Sequence, residues 1–170
     1  REHKIVNTAV YLVMGIDLEG RKDVLGHWVG SGAEGSSFWL NVITELKNRG
    51  VQDVFIASVD GLSGFEQALH AVFPQTEVQR CIVHQIRQST KYVTQKDRKD
   101  FCSDLQGIYR APTRESAETA LLTLGDRWGD RYALAVRSWE NNWEGLATMF
   151  AYTDEIRRLI YTTNPIEAYN

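Results

Sequence analysis

Asp53-Val54-Phe55-Ile56-Ala57-Ser58-Val59-Asp60-Gly61 is the stretch that decides the fold. Its apolar run is short and nearly continuous. It ends in a carboxylate, followed by a glycine that frees the backbone to turn. Such a run predicts a strand buried in an α/β sheet. Open α/β sheets keep their ligand chemistry at the carboxyl ends of strands, so Asp60 is a candidate corner of a metal-ion site. An Asp at a strand end also suits the start of a turn into the next helix. The stretch alone leaves both readings open.

Downstream, Phe65, Ala68, Leu69 and Val72 recur at helical spacing, and Phe73-Pro74 closes that helix. Residues 76–80 predict a short strand, and residues 81–92 a helix. Upstream, Trp39, Val42, Ile43 and Leu46 form the stripe of an amphipathic helix. Ser36 or Ser37 is placed to cap it, and Arg49-Gly50 ends it. Before it, residues 9–17 (AVYLVMGID) and 21–29 (RKDVLGHWV) are joined by Leu18-Glu19-Gly20, a hairpin signal. The order is α/β with a mixed sheet: an antiparallel hairpin followed by parallel additions.

Beyond Tyr92 strand signals nearly vanish. Phe101, Leu105 and Ile108 share one helical face, and Pro112-Thr113 stops that helix and starts another. Ala117, Ala120, Leu121, Leu124 and Trp128 make a long stripe. Residues 132–139 and 143–150 complete a helical block whose Trp128, Trp139 and Trp143 belong to a core.

The bulk composition narrows the class. A chain of 170 residues with five Trp is long enough for one domain with a core, and it holds no apolar run that spans a membrane. Two cysteines give no disulfide framework and fit a reducing, intracellular setting. The formal net charge of −3 argues against a generic basic nucleic-acid binder, though not against a DNA enzyme with local basic contacts. The chain opens on Arg1-Glu2-His3-Lys4 without Met and stops at Glu167-Ala168-Tyr169-Asn170, inside what reads as a first helical turn. The expectation is a piece of a longer protein.

One carboxylate holds hydrated Mg²⁺ weakly, whereas two or three at strand ends hold ions that activate water and stabilise a leaving oxygen. Glu167 is one candidate partner for Asp60. In Asn164-Pro165-Ile166-Glu167 it also fits a capping box, with Asn164 as N-cap and Pro165 at the first helical position. Asp17 is the other, but it reads as a hairpin turn residue. Cys81 and His84 stand at C-x-x-H spacing; lacking further ligands at zinc spacing, they read as a packed support rather than half a zinc site. Glu34 reads as a solvated loop acid. Arg87, Lys91, Lys96, Arg98 and Lys99 form a basic run able to meet a phosphate backbone, or simply a solvated helix face. No phosphate-cradling G-x-x-x-x-G-K-[ST] accompanies the Asp60 strand.

Three motifs stand together: Val59-Asp60-Gly61-Leu62-Ser63-Gly64-Phe65, then Gln79-Arg80-Cys81-Ile82-Val83-His84-Gln85-Ile86-Arg87, then Ile160-Tyr161-Thr162-Thr163-Asn164-Pro165-Ile166-Glu167-Ala168-Tyr169-Asn170. Leu25-Gly26, Glu34, Phe38-Trp39 and Arg49-Gly50-Val51 take matching relative places. Across its whole length the chain resembles the catalytic region of mutator-type bacterial insertion-sequence transposases.

The resemblance implies a DDE transposase: an RNase H-like mixed sheet flanked by helices, with an all-helical insertion before the last catalytic acid. Residues 1–92 would form the core, 93–153 the insertion, and 154–170 the return to the core with the helix carrying the acid. Asp60 matches the family's second catalytic Asp and Glu167 its catalytic Glu, both metal ligands. Cys81 and His84 match a supporting C-x-x-H signature, and Arg87 and Lys91 are candidate DNA contacts. Trp139 and Trp143 are both candidates for the family's insertion Trp. Tyr152-Thr153 departs from the usual Tyr-Pro. The cofactor implied is a pair of Mg²⁺ ions, with Mn²⁺ as a substitute. The partner is DNA, at element ends and target, with a homo-oligomer in the synaptic complex, no membrane, and action in the bacterial cytoplasm at the nucleoid. The family's first catalytic Asp lies before residue 1, so the central strand is truncated and this chain alone is expected to be inactive. The competing expectation is a non-catalytic DNA-binding or assembly fragment.

Overall fold

The computed structural model describes residues 8–30 and 34–162. Among these, 8–55 with 62–77 form one compact unit, and 56–61 with 78–162 a second.

In the first unit, β1 (Val10–Ile16) and β2 (Lys22–Val29) pair antiparallel, from Val10 opposite Val29 to Ile16 opposite Lys22, with a bulge at Val13/Met14. Their turn is built by Asp17. Its Oδ1 accepts the N–H groups of Glu19 and Arg21, its Oδ2 takes the Arg21 Nε at 2.6 Å, and Gly20 supplies a φ of 79°. The Arg21 amide and guanidinium hold the Asp17 carboxyl below the usual carboxylate range. Asp17 is thus the turn residue that its position suggested.

The 3.6-residue stripe becomes α1 (Ser36–Asn48), which buries Trp39, Val42, Ile43 and Leu46. Neither serine caps it. Gly35 is the N-cap, and its carbonyl accepts from Phe38 and Trp39. The serines fall inside the first turn, where Gly64, at φ 73°, comes so close that a Cβ there would lie 2.6 Å from the Ser36 nitrogen. Gly64 in turn begins α2 (Phe65–Val72), whose Phe65 meets Trp39 edge-on at 5.3 Å.

The strand leading to Asp60 is shorter and wetter than its apolar run suggests. β3 covers only Ile56–Val59, no residue of it is fully buried, and Phe55 just before it is 63% exposed. Its partner is β4 (Glu77–Arg80). Glu77 N–H donates to Phe55 O and Cys81 N–H to Val59 O at one constant offset, the signature of parallel pairing. Among the described residues the strands form two separate two-stranded sheets, β1 with β2 and β3 with β4, instead of the single mixed sheet expected. With a single ladder neighbour among the described residues, β3 also leaves one edge unpaired there.

The rest of the second unit is helical: α3 (Ile82–Thr90), α4 (Gln95–Tyr109), α5 (Arg114–Trp128), α6 (Ala133–Asn141), α7 (Trp143–Ala147), a 3₁₀ turn (Thr148–Ala151) and α8 (Asp154–Tyr161). The stripes read from the sequence supply its core: Phe101, Leu105, Ile108, Ala117, Leu124 and Trp139 are almost wholly buried. Each large side chain so buried contributes roughly 1.5–3 kcal/mol of transfer free energy. Thr113 caps α5 in a reciprocal pair with Ser116. Trp139 donates its Nε1–H to Ser89 Oγ at 3.0 Å, and Trp143 to Glu118 Oε1 at 3.0 Å.

Sequence periodicity did not foresee α8. Its Arg157 is buried, lies over the Phe150 ring at 4.8 Å, and donates to the carbonyls of Ala111 and Pro112 just past α4. A charged side chain doing a core residue's job hides the helix from an apolar pattern. No helix among the described residues is long and apolar enough to cross a membrane.

Candidate active site

Asp60 follows β3 directly, and Gly61, at φ 73°, turns the chain away from it. The next strand, β4, delivers Arg80 and Cys81, and Cys81 is the N-cap of α3. One helical residue type then meets the strand end: His84 Nδ1 lies 2.9 Å from Asp60 Oδ2. The two side chains are 38% and 45% exposed respectively, so the carboxylate stays open to solvent while held on one side.

The helix also sets the orientation of the ring. Gln88, one turn after His84, brings its Nε2 to 3.0 Å from His84 Nε2, and Lys91 donates to Gln88 Oε1 at 3.0 Å. A lysine only donates, so it fixes the amide with its NH₂ toward the imidazole. His84 Nε2 then accepts, and the ring proton sits on Nδ1, where it is donated to Asp60. The chain Lys91–Gln88–His84–Asp60 thereby orients the carboxylate from one face of α3.

Cys81 packs beside this line. Burial pushes its thiol pKa up, and the nearby Asp60 charge adds to that; the N–H groups of His84 and Val83 and the Ser58 hydroxyl pull the other way. Cys81 is a half-buried thiol at the helix start. Among the described residues no group of three or more His, Cys, Asp or Glu is gathered as a metal site.

The remaining residues singled out in the sequence fall as follows. Arg87 is exposed on the last turn of α3, and Lys91 engages Gln88. Glu167 lies outside the described residues. Glu34 is not simply solvated: it accepts from Tyr11 Oη at 3.0 Å, and burial together with this carboxylate raises the Tyr11 pKa. Gln88 was not anticipated, although its i+4 offset from His84 was a usable signal.

Asp60 suits a hard divalent cation. It offers carboxylate oxygen, is half exposed, and is braced by an imidazole donor, the arrangement by which outer groups orient metal-binding carboxylates. Among the described residues Asp60 and His84 are not joined by a third such group, and a tightly held ion takes further acids.

Comparison with known proteins places the chain. Residues 1–170 match the family model described as "Transposase, Mutator family". The chain is 48% identical over 165 residues to the transposase for insertion sequence element ISRM3 of Rhizobium meliloti, covering 96% of this chain and 41% of that protein. It is 40% identical over 169 residues to a probable insertion-sequence transposase of Corynebacterium diphtheriae, covering 99% and 49%. With the transposase for IS905 of Lactococcus lactis it shares 31% identity over 170 residues, covering 100% and 43%. The chain thus spans less than half the length of these relatives. It belongs to the Mutator family of transposases.

Proposed function

We propose that this chain is the catalytic segment of an insertion-sequence transposase of the DDE type. The whole protein would cleave DNA at element ends and join them to a target by phosphoryl transfer at phosphodiesters. One observation carries the reading: a carboxylate at a strand end, braced at 2.9 Å by an imidazole whose proton is directed at it. Family membership supports the same reading. The core would be RNase H-like, with residues 93–153 as its helical insertion.

Asp60 and Glu167 would hold divalent ions, Mg²⁺ or Mn²⁺, together with an acid outside this chain. Bound there, such ions would activate the attacking oxygen and stabilise the leaving one. His84 keeps the Asp60 carboxylate oriented, Cys81 packs the helix start, and Arg87 is offered to the DNA backbone. The protein would act as a homo-oligomer on DNA at the bacterial nucleoid. With no third such group joining Asp60 and His84 among the described residues, the 170-residue chain by itself should show little strand transfer.

The test is cleavage of an element-end duplex by the full-length transposase. Asp60→Asn and Glu167→Gln should abolish it while end binding stays within a few-fold of wild type. Near-normal cleavage by either variant removes that residue from the metal site. Loss of neither cleavage nor binding would instead favour a non-catalytic DNA-binding or assembly role for this segment.

A further inference from the structure

Arg80 sits at the same strand end as Asp60, outside the Lys91–Gln88–His84–Asp60 chain. Its stem runs past Gly145 of α7: a Cβ on Gly145 would lie 3.3 Å from Arg80 Cβ and 3.8 Å from Cδ. Its guanidinium lies flat against Gly61, the residue after Asp60. A Cβ there would fall 2.8 Å from both Nη1 and Nη2 and 2.9 Å from Cζ. Two glycines therefore make the path that this one side chain follows.

The backbone under it is fixed as well. Gln79, wholly buried, donates its Nε2 to Arg80 O at 2.8 Å and to Gly145 O and Leu146 O at 3.1 Å each. Those bonds tie the end of β4 to α7. Arg80 is thus half-buried, held along its length, and aimed at the turn beside Asp60. Yet among the described residues its guanidinium has neither a hydrogen bond nor an ion pair. Positioned arginines are commonly paired with carboxylates, because the planar fork donates two parallel bonds. Here two glycines and a buried glutamine place that fork beside the Asp60 turn.

We infer that Arg80 holds a non-bridging oxygen of the DNA phosphate that reacts at Asp60. The inference rests on the phosphoryl-transfer reading above. A guanidinium one residue from the carboxylate neutralises charge that builds on the phosphate as the attacking oxygen enters and the leaving oxygen departs. Arg80 exchanges no proton in this role: it donates N–H groups to the phosphate oxygen before, during and after the transfer.

The experiment uses the full-length transposase on element-end duplexes whose scissile phosphate is either native or a neutral methylphosphonate. Arg80→Met keeps the stem along Gly145 and removes the charge; Arg80→Lys keeps a charge without the fork. On native DNA, Arg80→Met should cleave about 10²–10³-fold more slowly, and Arg80→Lys should recover part of that. On the methylphosphonate the same substitution should matter little, because its target oxygen is gone. End binding without divalent metal should lose about one unit of salt dependence in Arg80→Met. Thermal melting checks that both variants fold. Cleavage of native DNA by Arg80→Met within three-fold of wild type overturns the inference, as does an equal penalty on both substrates. Asp60→Asn run in parallel separates the layers. If it is inactive while Arg80→Met is normal, only the Arg80 inference fails. If Asp60→Asn cleaves normally, the site reading fails and the Arg80 inference with it.

Discussion

The helical block and the strand end at Asp60 lie within one compact unit and follow opposite rules. In the block, apolar side chains recur every third or fourth residue and are nearly all buried, and its polar tips find partners: Trp139 with Ser89, Trp143 with Glu118, Thr113 with Ser116. At the strand end no residue of β3 is fully buried, Asp60 is half exposed, and the side-chain bonds link polar and titratable groups. The contrast teaches that this chain keeps its packed apolar core apart from its exposed polar strand end. The block holds the fold, and the strand end, the site proposed for chemistry, stays open to solvent.

Breaking the block should therefore cost far more stability than altering the site. Trp139→Ala should lower unfolding free energy by about 3–5 kcal/mol, since it empties a fully buried volume and removes the N–H that Ser89 Oγ accepts. A urea midpoint displaced at unchanged slope would show it; a midpoint near wild type would mean the block is not the stabilising core. Arg157→Leu should follow, at about 3 kcal/mol, because the carbonyls of Ala111 and Pro112 lose their donor. A neutral result would mean that water satisfies both carbonyls.

Gly61→Ala crosses the boundary between the two regions. Its positive φ costs a side chain about 1–2 kcal/mol, and the new Cβ must displace the Arg80 guanidinium. Cleavage by the full-length protein should fall well beyond what the stability loss explains; equal, small losses in both would dissociate Arg80 from the site.

Asp97→Asn should have the smallest effect, and it is pH-dependent. The Tyr132 hydroxyl, then the Arg131 guanidinium, hold the Asp97 carboxyl below its usual range. A carboxyl depressed on folding adds stability above its unfolded pKa of about 4, and that increment vanishes as pH falls through the folded value. The melting temperature of Asp97→Asn should therefore lie below wild type at pH 7, and the gap should shrink as pH falls below about 4. A gap that does not change with pH down to the acid unfolding limit would assign the effect to packing.

Much of the block was legible in the sequence, because Phe101, Leu105 and Ile108, or Ala117, Leu121 and Leu124, repeat with the period of the helix they form. The hairpin was legible for the same kind of reason: Glu19-Gly20 is local turn chemistry. What could not be read is non-periodic or non-local. The α8 segment hides behind Arg157, a buried charge. Gly35 caps α1 through its carbonyl where either serine looked better, and the packing of Gly64 on Ser36 comes from another part of the chain. Asp60 was recognisable as a strand-end acid, and C-x-x-H as a pair. That His84 turns to Asp60, with Gln88 and Lys91 behind it, depends on a contact between a strand and a helix that no spacing encodes. Arg80 was equally silent, since its meaning lies in two glycines distant in sequence from one another.

In the proposed site Asp60 holds a divalent ion and His84 orients its carboxylate. The magnesium dependence of end cleavage by the full-length transposase, compared between wild type and His84→Ala, tests this most directly. Loss of a group that orients a metal-binding carboxylate should raise the half-saturating Mg²⁺ concentration by about 10–100-fold, with much of the rate restored at saturation. A magnesium curve superimposable on that of the wild type would contradict it.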